Sequence, residues 1–147
     1  MRTAKAAILF CLAVATGSGS WYLRVRVPDN QWRRTDEAGR KSMDQGRFGE
    51  ADRQFVTAIE AARAFGDRDL RLARSLFHRA QALVAQAKHS DAVPLLEQAL
   101  AIYEKALGQD HPDVARVREY YAALLRAAGR SADAEAAWWG SPREAST

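Results

Sequence analysis

Catalysis or metal binding in this chain would have to be built from few side chains. There are three histidines, His78, His89 and His111, and one cysteine, Cys11. No histidine has a second histidine or cysteine at the helical spacing that a zinc site on one helix needs. A lone cysteine forms neither an intrachain disulfide nor a thiolate metal site. No glycine-rich loop of the phosphate-cradling kind occurs, and no serine sits in a strand-to-helix elbow. Glu50, Asp52, Glu97 and Glu104 read as solvated helix faces. These residues predict a protein that is not an enzyme and that holds no metal and no cofactor.

The stretch from Ala85 to Ala115 shows what could position a recognition surface instead. Leu96, Ala99, Leu100, Tyr103 and Leu107 recur at the three-and-four spacing of one helix face. Gly108 can end that helix, and Asp110-His111-Pro112 can start the next. The same reading gives six helices, of which this is the fourth. The first spans about 31–45, with Gly39 inside it, and the second about 49–65. The third covers 68–87 with Asp67 as its N-cap, and the fourth starts near Ser90 with Pro94 in its first turn. The fifth covers 112–128 and a short sixth 132–139. Ala51, Ala92 and Ala134 occupy equivalent places at offsets of 41 and 42 residues. The same registers pair Phe55, Leu96 and Trp138, pair Gly46, Ala87 and Gly129 at turns, and pair Gly39, Ala80 and Ala122 inside helices. Small and apolar residues returning at a near-constant period are the mark of a helical solenoid.

At 147 residues, 48% hydrophobic and 27% charged, the chain has the material for one domain with a core. The formal charge is +4 and the isoelectric point about 9.6. Without Arg2 and Lys5 the balance is 20 basic to 18 acidic residues. So small an excess does not predict nucleic acid as a partner.

Ala92, Leu96, Ala99, Leu100, Tyr103, the break at Gly108 and the run His111-Pro112-Asp113-Val114-Ala115 resemble a tetratricopeptide repeat, in the longer-period variety of kinesin-light-chain-like repeats. The resemblance implies an all-α fold, a short solenoid of three antiparallel helical hairpins at about 31–66, 67–108 and 109–140. It also implies a concave groove lined by the first helix of each hairpin, with a glycine or alanine at position 39 for close helix approach. Carried onto this chain, the groove positions are Arg33, Asp36, Arg40 and Met43, then Arg74, Phe77, Gln81 and Val84, then Arg116, Glu119, Ala123 and Arg126. Five arginines against two acids make that groove basic. A protein or acidic peptide segment is the expected partner, with Phe77 as an apolar anchor, because arginine forks bind carboxylates in a bidentate way.

Two rivals stand beside the groove. One is an assembly subunit using its C-terminal aromatic end. There Trp138 shares the core register, whereas Trp139, and one of Tyr120 and Tyr121, have no core place. An end without a polar cap would also favour self-association. The other is a helical-repeat RNA binder, for which only Phe77 offers a stacking platform.

The N-terminus reads as an address. Arg2 and Lys5 precede an apolar run from Ala6 to Ala15, and small residues follow at 16–20. Residues 1–23 are expected to be a cleaved signal peptide or an uncleaved membrane anchor, with no charge from Ala6 to Leu23. Either one predicts a domain exported across or anchored in a membrane, on its periplasmic or extracytoplasmic face. Residues 24–30 are expected to be an extended linker, and 141–147 a disordered tail.

Overall fold

The computed structural model of the chain describes residues 18–139, with side chains at 29–137. All the described elements are α-helices: α1 (Ser18–Asp44), α2 (Phe48–Arg63), α3 (Leu70–Ala85), α4 (His89–Leu107), α5 (Pro112–Ala127) and α6 (Ser131–Trp139). They pair as three antiparallel hairpins, α1–α2, α3–α4 and α5–α6, and each hairpin packs on the next. The expected all-α solenoid of three hairpins is the fold observed.

The turn inside each hairpin has one design. Gly46, Ala87 and Gly129 have φ of +70°, +60° and +75°. The next residue, Arg47, Lys88 or Arg130, donates its backbone N–H five residues back, to Ser42, Leu83 or Leu125, at 2.8–2.9 Å. Each left-handed residue donates three back, to Met43, Val84 or Arg126. This double bond satisfies carbonyls that a helix end otherwise leaves bare. The register that pairs Gly46, Ala87 and Gly129 in the sequence is therefore a backbone register, and Ala87 carries a Cβ in a conformation that glycine takes without penalty.

The core runs along the stack. Ala58, Ala62, Leu72, Leu76, Leu83, Leu96, Ala99, Val114, Val117, Leu125 and Ala134 are buried in one continuous cluster. A smaller cluster of Ala51, Phe55 and Ala82 lies beside Met43. Gly39 allows it to form. A Cβ built on Gly39 would stand 2.5 Å from Cε1 of the Phe55 ring, well inside contact distance. Close approach of α1 and α2, expected from the glycine, is thus required by a buried ring.

Three expectations are corrected. Residues 24–30 are not an extended linker; they lie inside α1. Once the packed half of α1 is formed, each added residue gains a backbone hydrogen bond without a new nucleus, which works against the lost bond and the steric cost of Pro28. Asp29 and Arg33, one turn apart, then pair at 2.9 Å. The N-cap of α3 is Asp69, not Asp67: its carboxylate accepts the Arg71 N–H at 2.8 Å. Pro94 is not in the first turn of α4, because that helix already begins at His89. The signal or anchor reading of residues 1–17, Gly140 and the tail at 141–147 lie outside the described residues, as do the side chains of Trp138 and Trp139.

Candidate binding groove

The first helices of the three hairpins share one cleft of about 460 Å³. Arg40, Met43 and Asp44 of α1, His78, Gln81 and Ala85 of α3, and Tyr120 of α5 line it, with the Phe55 ring at its floor. Helical spacing explains the set. Arg40 and Met43, like His78, Gln81 and Ala85, stand three or four residues apart and so share a face.

Of the predicted groove residues, Arg40, Met43 and Gln81 meet in this cleft. Tyr120 joins them instead of standing at the C-terminal end, and its ring packs edge-on against Phe77 with centroids 5.6 Å apart. Its neighbour Tyr121 is the buried member of the pair. Phe77 is not a groove anchor, because it is 4% exposed. Asp36 is not a groove acid either, being fully buried. Val84 is half-buried, and Arg33, Arg116, Glu119, Ala123 and Arg126 are exposed.

Asp36 and Phe77 are lost to the groove for the same reason. Their register faces the next hairpin. Asp36 accepts from Arg74 Nη2 at 2.8 Å and lies 3.3 Å from His78 Nδ1, both one repeat later. Phe77 meets Tyr120 and lies 5.9 Å from the Arg116 guanidinium, again one repeat later. Glu119 holds the same register in the last hairpin and is exposed. Burial pushes the Asp36 carboxyl up, but the hydrogen bonds and charges of His78 and Arg74 outweigh it and hold the group below its ordinary value of 3.8.

The arginines are less free than their number suggests. Arg33 pairs with Asp29 at 2.9 Å, Arg74 with Asp36 at 2.8 Å and Arg116 with Asp113 at 2.7 Å. Arg40 and Arg126 make no ion pair among the described residues. The acids read as solvated faces have partners as well. Asp52 binds Arg79 at 2.8 Å, Glu104 binds Arg118 at 2.7 Å, Glu50 binds Arg47 at 2.7 Å, and Glu97 accepts from the Tyr121 hydroxyl at 2.5 Å. Burial and this carboxylate raise the Tyr121 hydroxyl well above its ordinary value.

Trp32 escaped the sequence reading. Its indole N–H donates to Ser75 Oγ at 3.0 Å, a buried bond between the first two hairpins. The Arg74 guanidinium lies 4.8 Å from the same ring. The available signal was a large aromatic in the polar run Gln31-Trp32-Arg33-Arg34. His111 has a local role as the N-cap of α5, its Nδ1 accepting the Asp113 N–H at 3.1 Å. Among the described residues no three histidine, cysteine, aspartate or glutamate side chains gather as metal ligands. The cleft offers noncovalent recognition: the Arg40 guanidinium, the Asp44 carboxylate one turn from it, an amide, a phenol and an imidazole.

A search of curated proteins finds no match. Among solved structures, the TPR domain of Arabidopsis FLU is similar in fold, with a TM-score of 0.67 at 15% identity, covering 76% of this chain and 91% of that one. The family model described as tetratricopeptide repeat matches residues 42–105 and 91–137, which together span 42–137 without a gap. That is well over half of the sequence, and the chain belongs to the tetratricopeptide repeat family.

Proposed function

We propose that this chain is an interaction module that holds an acidic segment of a partner protein in the cleft between its first helices. Domains of its family typically serve as non-enzymatic scaffolds that bind proteins or peptides. The observation that carries the finer reading is Arg40, a guanidinium on the cleft wall that makes no ion pair among the described residues. Met43 beside it supplies apolar contact, and Gln81 and Tyr120 supply hydrogen bonds. The basic groove is narrower than five arginines imply and centres on Arg40, with Arg126 further along.

An array of acidic peptides should yield ligands whose affinity falls about tenfold or more on Arg40→Glu, since reversing a charge at a desolvated contact costs at least one decade. The same ligands should bind Arg33→Ala like the unaltered chain. Ligands indifferent to Arg40→Glu would remove the cleft from the reading.

The module works at a membrane in this proposal. Residues 6–23 carry no charge, and α1 is already helical at Ser18 and unbroken to Asp44. A helix that runs from Ser18 into the first hairpin, where a loose linker would stand after a cleaved signal, supports an anchor. No described helix is long and apolar enough to cross a membrane, so the span would draw on residues before Ser18. Intact mass after fractionation should show the full-length chain with the membranes. A soluble species lacking about the first twenty residues would mean export instead.

A further inference from the structure

A second pocket, of about 290 Å³, lies where α3 and α5 begin and α4 ends. It shares no residue with the Arg40 cleft. Trp32, Leu70, Tyr103 and Leu107 give it apolar walls, and Arg71, Arg74, His111 and Asp113 complete the lining. Leu70 is 39% exposed, the one large hydrophobic side chain so exposed among the described residues. An isolated exposed leucine needs no explanation, but this one borders a concave apolar wall. A cavity of about 150 Å³ already admits benzene, so this pocket has room for an aliphatic side chain.

Its charge has a direction. The Arg71 guanidinium lies 4.0 Å from the Phe65 ring centroid and 5.8 Å from that of Trp32. Stacking holds the plane and leaves the in-plane N–H groups as the donors on offer. Its nearest acids, Asp29 and Asp69, stand 3.6 and 4.0 Å from Nε, beyond hydrogen-bond reach. Arg33 takes Oδ2 of Asp29 and the helix cap takes Oδ1 of Asp69, while Oδ1 of Asp29 accepts no hydrogen bond and faces Arg71 Nε. Asp113, across the pocket, is bound by Arg116. The Asp29 and Asp69 carboxylates flank Nε, and the terminal Nη groups of Arg71 make no hydrogen bond among the described residues.

We propose that this pocket is a second recognition site, taking a peptide segment in which a large aliphatic side chain neighbours a carboxylate. The side chain lies against Trp32, Leu70 and Leu107, and the carboxylate meets Arg71. A partner engaged here and in the Arg40 cleft would be held at two points, and its affinity would exceed that of either contact alone.

The Trp32 indole N–H, bonded to Ser75, reports on the site. In NMR spectra of the ¹⁵N-labelled full-length chain, assigned with Trp32→Phe, the probe is the dipeptide N-acetyl-leucyl-glutamate amide. It should shift that signal saturably at millimolar concentration. N-acetyl-leucyl-lysine amide and N-acetyl-alanyl-glutamate amide should need about tenfold more, since each lacks one of two contacts. Leu70→Asp and Arg71→Gln should both weaken the first probe, and Arg40→Glu should not. Leu70 is exposed enough for its change to spare the fold, which the unchanged remainder of the spectrum would verify. An unmoved indole signal, equal response to all three peptides, or full binding by Leu70→Asp would each overturn the assignment. Because Arg40 is outside this pocket, failure here leaves the cleft standing, and the reverse holds too.

Discussion

Gly39→Ala should destabilise the protein by about 1–3 kcal/mol, the usual cost of overfilling a packed core. Intrinsic helix preference argues the other way, favouring alanine over glycine by about 1 kcal/mol. Packing wins because the new methyl would meet three atoms of the Phe55 ring at 2.5–2.8 Å. That ring is fully buried and packed with Ala51 and Ala82, so its retreat would disrupt their cluster. Chemical denaturation of wild type, Gly39→Ala, Phe55→Leu and the double variant tests this. Leucine lacks the distal ring atoms, so the double variant should be more stable than the sum of the singles by about 0.5 kcal/mol or more. A Gly39→Ala protein as stable as wild type would show that α1 and α2 can part without cost.

Removing the charge of Asp36 should be the other large loss. Asp36→Ala leaves His78 and the Arg74 fork facing an empty site at the joint of the first two hairpins. Breaking a fully buried pair costs about 3–5 kcal/mol. Arg74 is partly exposed and can turn to water, so about 2 kcal/mol is expected here. The pH dependence distinguishes charge from shape. The folded carboxyl titrates below its ordinary 3.8, so its contribution is complete above that value. The contribution fades as pH falls through the lowered folded value. Asp36→Asn, close in shape, should therefore trail wild type at neutral pH and draw level with it in acid. A gap that stays constant through the acid range would assign the loss to packing alone.

Much of this architecture was legible in one dimension. Apolar three-and-four spacing located the helices, because one face of each is buried whichever neighbour buries it. Left-handed residues located the turns, because a Schellman end imposes the same backbone on Gly46, Ala87 and Gly129. Gly39 announced a close approach, because a missing Cβ inside a helix otherwise only weakens it. Interior helix interactions were harder to see: Asp52 with Arg79 and Glu104 with Arg118 join different helices, and no spacing along one helix predicts such a pair.

The candidate site divides along a physical line. The resemblance to a known repeat carried groove positions onto each first helix, and the structure places Arg40, Met43 and Gln81 of them in one cleft. The sequence could not divide those positions between the open cleft and the face that the next hairpin covers. The two lie close in angle: four residues, about 40° around a helix, separate Asp36 from Arg40 and Phe77 from Gln81. Asp36, Phe77 and Glu119 share a register, yet Asp36 is sealed by Arg74 and His78, Phe77 by Tyr120, and Glu119 is exposed. What covers a residue depends on what stacks upon it, about forty positions further along the chain. The same stacking turns Trp32 from an aromatic in a polar run into a buried bolt on Ser75, and only the tertiary structure decides that.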